Sequence, residues 1–210
     1  MNINCLILAR KNSKRIINKN IISFRNKPLI YWTIKQSLKI RSFKKIILSS
    51  DSLEIKKISK KISKKILFNN RPSYLSGAKI TSEKVMIYLI KKYKFKPKDY
   101  VLLLQPTSPL RRVQDIIDMI KNLKKNRLDS LHSVNYYKGK KIIKSKLNIV
   151  NKNIKKTELI KKLSYNGSIY IFKVSLLLDN KTIYEKVPNV YVTNKKNSLD
   201  IDEYSDLSEC

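Results

Sequence analysis

The chain has 210 residues, 42% of them hydrophobic and 30% charged, enough for one domain with a true core and too apolar for a disordered chain. Lysine and arginine number 47 against 15 acidic residues, a formal charge of +32, which would put nucleic-acid binding first if the lysines were gathered on one helix or tail. They are spread through nearly every segment, so the charge reads as a solvated surface that attracts polyanions, nucleotides included, and no specific nucleic-acid partner is expected.

No apolar run approaches the length of a membrane span, and the N-terminus lacks a signal-peptide pattern, so the expectation is a soluble, cytoplasmic protein without a membrane partner. The cysteines, Cys5 and Cys210, have no CxxC spacing, which makes a structural disulfide improbable. His132 is the sole histidine; this excludes multi-histidine metal centres, and its place in the apolar run SLHSV reads as structural.

In chain order, Ile3 to Ala9 is a buried apolar strand that runs into the basic loop LARKNSKRIINKN, residues 8–20. Phosphate-gripping loops after a first strand usually rely on glycine so that backbone amides reach the anion. This loop has none, but cationic side chains and a hydroxyl can take that part. Pro28 then suits a helix first turn, with Ile30, Ile34 and Leu38 on one face. KKIILSSD (44–51) is a second strand, Ile55, Ile58 and Ile62 mark a helix, and Ile66 to Phe68 is a short strand before the loop RPSYLSG. Val85, Met86, Leu89 and Ile90 give another amphipathic helix. DYVLLLQ (99–105) is the most apolar strand, as suits the centre of a parallel sheet. PTSPLR ends it, and Ile116, Ile117, Ile120 and Leu123 continue as a helix.

This alternation predicts the α/β class: a Rossmann-like three-layer sandwich on a mostly parallel sheet, within a single domain spanning 1–210. Ligands of such sheets gather at the strands' carboxyl ends, here ARKNSK, SSD and QPTSPLR. The pattern changes after about residue 135, and 136–165 reads as a small projecting arm. NGSIYIFK (166–173) and VYVT (190–193) restore strands before the closing NSLDIDEYSDL. On an extended segment Asp200 and Asp202 point the same way, so both carboxylates can face one cation; DEYSD equally reads as a helix N-terminus.

Four segments, ARKNSKRIINKN, RPSYLSG, LLLQPTSPLR and NGSIYIF with DIDEYSDL, stand in the order and spacing of the acylneuraminate cytidylyltransferases, and over essentially its whole length the chain resembles that family. QPTSPLR is the most specific piece. The resemblance implies an enzyme that couples CTP to a nonulosonic acid such as sialic acid, giving the CMP-sugar and pyrophosphate with Mg²⁺. It implies a homodimer, with 136–165 as the dimerisation arm. Carried over by matching motif, Arg10, Ser13, Lys14, Lys19 and Asn20 hold phosphates and nucleotide, and Arg71 lies near the cytosine ring. Gly77, Ala78 and Lys79 replace the usual SDT before Thr81 and Ser82, which would serve the nucleotide. Gln105, Thr107, Ser108, Lys156 and Asn166 would meet the sugar acid, and Asp200 and Asp202 would hold Mg²⁺. In catalysis the resemblance gives the leading parts to Arg10, Lys14, Lys19 and Gln105.

Two positions depart from the family. Relatives usually carry arginines where this chain has Lys156 and Ser164; lysine keeps the charge without the bidentate fork, and serine loses both. Rival readings are a degenerate nucleotide-binding relative without activity, a basic RNA-associated protein, and a nucleotidyltransferase for another keto-sugar acid.

Overall fold

In the computed structural model, which describes residues 1–13, 15–136, 147–151 and 163–208, the two most apolar runs lie side by side at the centre of one sheet. They are β1 (Ile3–Leu8) and β6 (Tyr100–Leu104), paired in parallel with Cys5 opposite Leu102. Because strand side chains alternate between faces, Cys5, Ile7 and Leu102 pack on one side with Ile30, Ile34, Ile55, Ile116 and Met119. Leu6, Val101 and Leu103 pack on the other side with Val85, Met86, Leu89 and Leu177. So α1 (Leu29–Leu38), α2 (Leu53–Ile62) and α4 (Val113–Lys125) cover one face, and α3 (Ser82–Lys92) and α5 (Val174–Asn180) cover the other. Burial on both faces is what makes these strands read as continuous apolar runs.

With β2 (Ser23–Phe24) and β3 (Lys27–Pro28) forming a separate short hairpin, the remaining strands are β4 (Phe43–Ser50), β5 (Ile66–Asn70), β7 (Ser130–Tyr136), β8 (Asn148–Ile149), β9 (Leu163–Lys173) and β10 (Asn189–Val192). Among the described residues the main sheet has the order β5-β4-β1-β6-β9-β7-β10-β8. Only β9 runs antiparallel to its neighbours, β6 and β7. From β1 the chain moves outward through β4 and β5, then returns through α3 to place β6 on β1's other side. That reversal opens a crevice beyond the carboxyl ends of β1 and β6, the ligand position of open α/β sheets.

Helix entries follow local chemistry. Ser52 caps α2, its hydroxyl accepting from the Ile55 amide at 3.3 Å, and Thr81 caps α3 by accepting from Lys84 N at 3.4 Å. Pro28 lies just before α1. The ends of the expected 136–165 arm are sheet residues: Tyr136 pairs with Leu163 at the ends of β7 and β9, and β8 pairs with β10. Residues 137–146 and 152–162 lie outside the described residues, Lys156 among them. No helix among the described residues is long and apolar enough to cross a membrane.

Candidate active site

The loop after β1 is held on both sides. Ala9 N donates to Ser49 O at 3.0 Å, Lys11 N to Asp51 Oδ1 at 2.7 Å, and Asn20 Nδ2 to Arg10 O at 2.8 Å. Ile16 is fully buried against Phe24, Leu29 and Ile201, which ties this loop to the C-terminal segment. Asn18 takes the left-handed conformation (φ 53°), a region asparagine tolerates better than most residues, so the turn closes without glycine. A crevice of about 290 Å³ results, lined by Leu8, Arg10, Ser13, Arg15, Lys19, Asn20, Gln105, Pro106, Thr107 and Asp202. Its charged lining is three cations and one carboxylate, an arrangement made for an anion with several negative oxygens.

The opposite wall, the QPTSPLR segment, is braced from below by Arg111. This fully buried guanidinium donates to Gln105 O (2.6 Å), Ser168 Oγ (3.0 Å) and Gln36 Oε1 (2.9 Å). Gln36 Nε2 in turn donates to the carbonyls of Pro109 (2.7 Å) and Arg111 (3.0 Å). Burial pushes the Arg111 pKa down to about 9, with Cys5 and Asp200 opposing, so the brace stays charged at neutral pH. Arg111 therefore shapes the wall while Gln105 and Thr107 face the crevice.

The C-terminal segment closes the third side. Ile201 N donates to Thr107 O at 2.8 Å, and Lys19 Nζ donates to Ile201 O (2.9 Å) and Asp202 Oδ1 (2.8 Å). Arg15 Nη2 reaches Asp202 Oδ2 at 2.8 Å. Asp206 accepts from the amides of Asp202 and Glu203, both at 2.7 Å, so DEYSD does form a capped turn, a short 3₁₀ helix over Tyr204–Leu207. Burial alone would raise the Asp202 pKa, but Lys19 and Arg15 hold the carboxyl below its usual range. Asp200 is the counterpart: burial pushes it up to about 6, the nearby Thr107 hydroxyl and Lys19 pulling down and Asp202 pushing up. Neither Thr107 Oγ1 nor Asp200 Oδ1, both buried, makes a well-formed hydrogen bond among the described residues. A desolvated carboxylate with an unmatched oxygen, two residues from a second carboxylate, is a donor set that suits a hard divalent cation. Among the described residues no group of three or more His, Cys, Asp or Glu comes together, so such a cation would complete its shell with water and phosphate oxygens.

A bulge in β9 sets the position of Asp200. Between the pairs His132–Tyr170 and Val134–Tyr165 the register shifts, and Asn166 ties the bulge together. Its Oδ1 accepts from Ser133 Oγ (2.6 Å) and Ser168 N (3.1 Å), and its Nδ2 donates to Thr193 Oγ1 (2.8 Å) and Ser198 Oγ (3.2 Å). Gly167 then adopts φ +71°, and a Cβ there would stand 3.0 Å from Asp200 Oδ2. Gly167→Ala is expected to cost about 1–2 kcal/mol of stability from the left-handed backbone alone and to push the Asp200 carboxylate out of place. Urea unfolding checks the first effect, and a lower affinity for divalent cation in the folded variant checks the second.

The structure thus gathers Arg10, Ser13, Lys19, Asn20, Gln105, Thr107 and Asp202 at one crevice, with Ser108 buried and Asp200 half-buried beside Thr107. Lys14 and Lys156 lie outside the described residues. Other expected residues stand apart from the crevice lining. Arg71, following β5, is buried with its guanidinium on Ser49 (carbonyl 2.8 Å, hydroxyl 3.3 Å). Burial lowers its pKa to about 10, Asp51 opposing and Arg10 adding, so it neighbours the first loop. Thr81 and Ser82 begin α3, where Thr81 acts as the cap. Asn166 has all its polar atoms engaged inside the fold. Ser164 is buried on β9 opposite Asn135. Sequence reasoning gave no part to Arg15, Asp51 or Gln36. Arg15 carried a signal as a further cation in the first loop, and Asp51 as the last residue of SSD at a strand's carboxyl end; Gln36 carried none.

A family model described as "Cytidylyltransferase" matches residues 4–207. The chain is 30% identical over 221 residues to the CMP-N,N'-diacetyllegionaminic acid synthase of Legionella pneumophila, covering 96% of this chain and 91% of that protein. It is 35% identical over 122 residues to the Helicobacter pylori protein named "Pseudaminic acid cytidylyltransferase and UDP-2,4-diacetamido-2,4,6-trideoxy-beta-L-altropyranose hydrolase". That match covers 58% of this chain and 23% of the longer protein. Among solved structures, a CMP:2-keto-3-deoxy-manno-octonic acid synthetase complexed with CTP superposes with a TM-score of 0.69 over the whole of this chain and 96% of its own, at 12% identity, a likeness of fold.

Proposed function

The chain belongs to the cytidylyltransferase family, and on that premise we propose that it couples CTP to a nonulosonic sugar acid, giving a CMP-sugar and pyrophosphate. The observation that carries this reading is the crevice: Arg10, Arg15 and Lys19 converge at the carboxyl ends of β1 and β6, opposite the uncharged Gln105 and Thr107. A triphosphate suits the first wall and a hydroxyl-rich sugar the second. The sugar's anomeric oxygen attacks the α-phosphorus, the bond to the β-phosphate oxygen breaks, and pyrophosphate leaves. Arg10, Ser13, Lys14 and Lys19 neutralise and align the phosphates, and Gln105 and Thr107 orient the acceptor; alignment and charge supply most of the acceleration. Asp200 and Asp202 would hold Mg²⁺, which when bound offsets the charge of the transferring phosphoryl group. The same reading places the enzyme in the cytoplasm, where CTP is available, as a homodimer assembled through 136–165.

Ser164 gives no arginine fork on β9, so the acceptor's carboxylate is held less rigidly than two parallel bonds would allow. We expect an acceptor other than N-acetylneuraminate. Pyrophosphate release should be measured across CTP, UTP, ATP and GTP, each with N-acetylneuraminate, legionaminate and pseudaminate. The expected result is release with CTP alone, and faster with one of the latter two acids. No release with CTP and any of them would refute the function, and N-acetylneuraminate as clearly the best acceptor would refute the specificity.

Arg71 provides a test of the base site. Arg71→Ala is expected to weaken CTP about tenfold, on the scale of one charge-assisted hydrogen bond, while leaving inorganic triphosphate nearly unchanged. Calorimetry with both ligands decides, and equal losses would assign Arg71 to the phosphates or to the scaffold.

A further inference from the structure

Arg15 lines the crevice beside Arg10 and Lys19, yet its guanidinium turns to the C-terminal segment, with Nη2 2.8 Å from Asp202 Oδ2 and Nη1 3.9 Å from Glu203 Oε1. The two cations on Asp202 are held very differently. Lys19 is buried and fixed by both Ile201 O and Asp202 Oδ1. The Arg15 side chain is 51% exposed, and an ion pair so exposed contributes little to holding the geometry. The next residue, Ile16, is fully buried, which anchors the backbone so that the Arg15 side chain can reorient without dragging the loop.

We propose that Arg15 is an exchangeable counter-ion: it occupies Asp202 while the crevice is empty and passes to a phosphate of the nucleotide when a divalent cation takes that carboxylate. The inference rests on the reading of Asp200 and Asp202 as cation ligands. A divalent ion arriving at Asp202 repels both resident cations. Lys19 is fixed from two sides, so Arg15 is the one that leaves. The crevice it lines offers the anion it needs, and a planar guanidinium grips phosphate oxygens in pairs. Cation and triphosphate binding are thereby linked through one side chain.

The full chain tests this with two probes: Mn²⁺, titrated into nucleotide-free protein by electron paramagnetic resonance, and inorganic triphosphate, titrated by calorimetry at saturating Mn²⁺. Arg15→Gln is expected to bind Mn²⁺ about threefold more tightly, because a competing cation is gone, and triphosphate about tenfold more weakly, because a charge-assisted fork is lost. Lys11→Gln removes the same charge from the same loop, but the contact of Lys11 is through its backbone amide to Asp51; it should produce less than half of either effect. Opposite shifts in Arg15→Gln with small ones in Lys11→Gln support the exchange. Losses in both affinities, a change in only one, or equal effects from the two variants overturn it. Asp202→Asn separates the premise: wild-type Mn²⁺ affinity in that variant refutes the cation-ligand reading itself, whatever Arg15→Gln does.

Discussion

Asp202→Asn is expected to lower turnover about a thousandfold, the scale of removing a preorganised charge from a phosphoryl-transfer site, with saturating Mg²⁺ unable to restore it. The substitution keeps shape and removes charge, so the effect isolates what the carboxylate does electrostatically. Its structural cost is calculable from its partners. Lys19, buried, loses an ionic partner at 2.8 Å but keeps the Ile201 carbonyl at 2.9 Å, and the Asp202 side chain is itself 39% exposed. Solvent screening therefore holds the loss to about 1 kcal/mol, which for a chain of this length lowers Tm by about 2–4 °C. Steady-state kinetics against Mg²⁺, paired with a melting curve, make the check. Near-wild-type turnover at limiting Mg²⁺ would remove Asp202 from the reaction, and a collapse of Tm would make it a structural residue.

The parts of this fold that were legible in the sequence are those whose burial is uniform. β1 and β6 lie between two helical layers, so every residue but Asn4 is apolar and the strands announce themselves. β7 did not, because Ser130, His132, Ser133 and Asn135 are all buried within it. Most of them find partners on β9 or in the segment after α5, contacts 33 to 55 residues away that no local pattern contains. β9 was readable as a strand but not as an antiparallel one, since alternation fixes which face a residue takes and says nothing about chain direction. The same division runs through the site. Arg10, Lys19, Gln105 and Thr107 sit at strand ends or in the loop that follows, where topology alone points. The pairing of Arg15 with Asp202 spans 187 residues and exists only because Ile16 and Ile201 share one small apolar cluster. Thr81 shows the converse: its position before a helical run is an ordinary capping signal, and the structure uses it so.

His132 gives the second large effect, on stability in acid. The imidazole is completely buried among Tyr165, Tyr170 and Tyr184, with Nε2 2.9 Å from Ile183 O and Nδ1 without a partner among the described residues. The Ile183 carbonyl can only accept, so Nε2 carries the proton of the neutral ring. Among the described residues no carboxylate supports a second proton, and burial pushes the pKa down to about 4 from an ordinary 6.5, the Ile183 bond opposing only in part. Between those two values the unfolded chain binds the proton and the folded chain does not, so this group's contribution is intact above pH 6.5 and is lost as pH falls toward 4. The full loss amounts to about 3 kcal/mol. Asp200, pushed up to about 6, acts in the opposite sense across an overlapping range: its burial favours the folded state at low pH and that contribution fades as pH rises through 6. The wild-type curve therefore shows only the sum, and the difference from a variant that cannot titrate isolates the histidine. His132→Gln keeps a donor for Ile183 O and carries no charge at any pH. It should be less stable than wild type at pH 7, from imperfect filling of the tyrosine cage, and that deficit should shrink by about 3 kcal/mol on going to pH 4. Urea unfolding of both proteins at intervals across this range measures it. A deficit that stays constant with pH would mean that the imidazole takes up its proton equally well in folded and unfolded chains, and that the cage admits the charge.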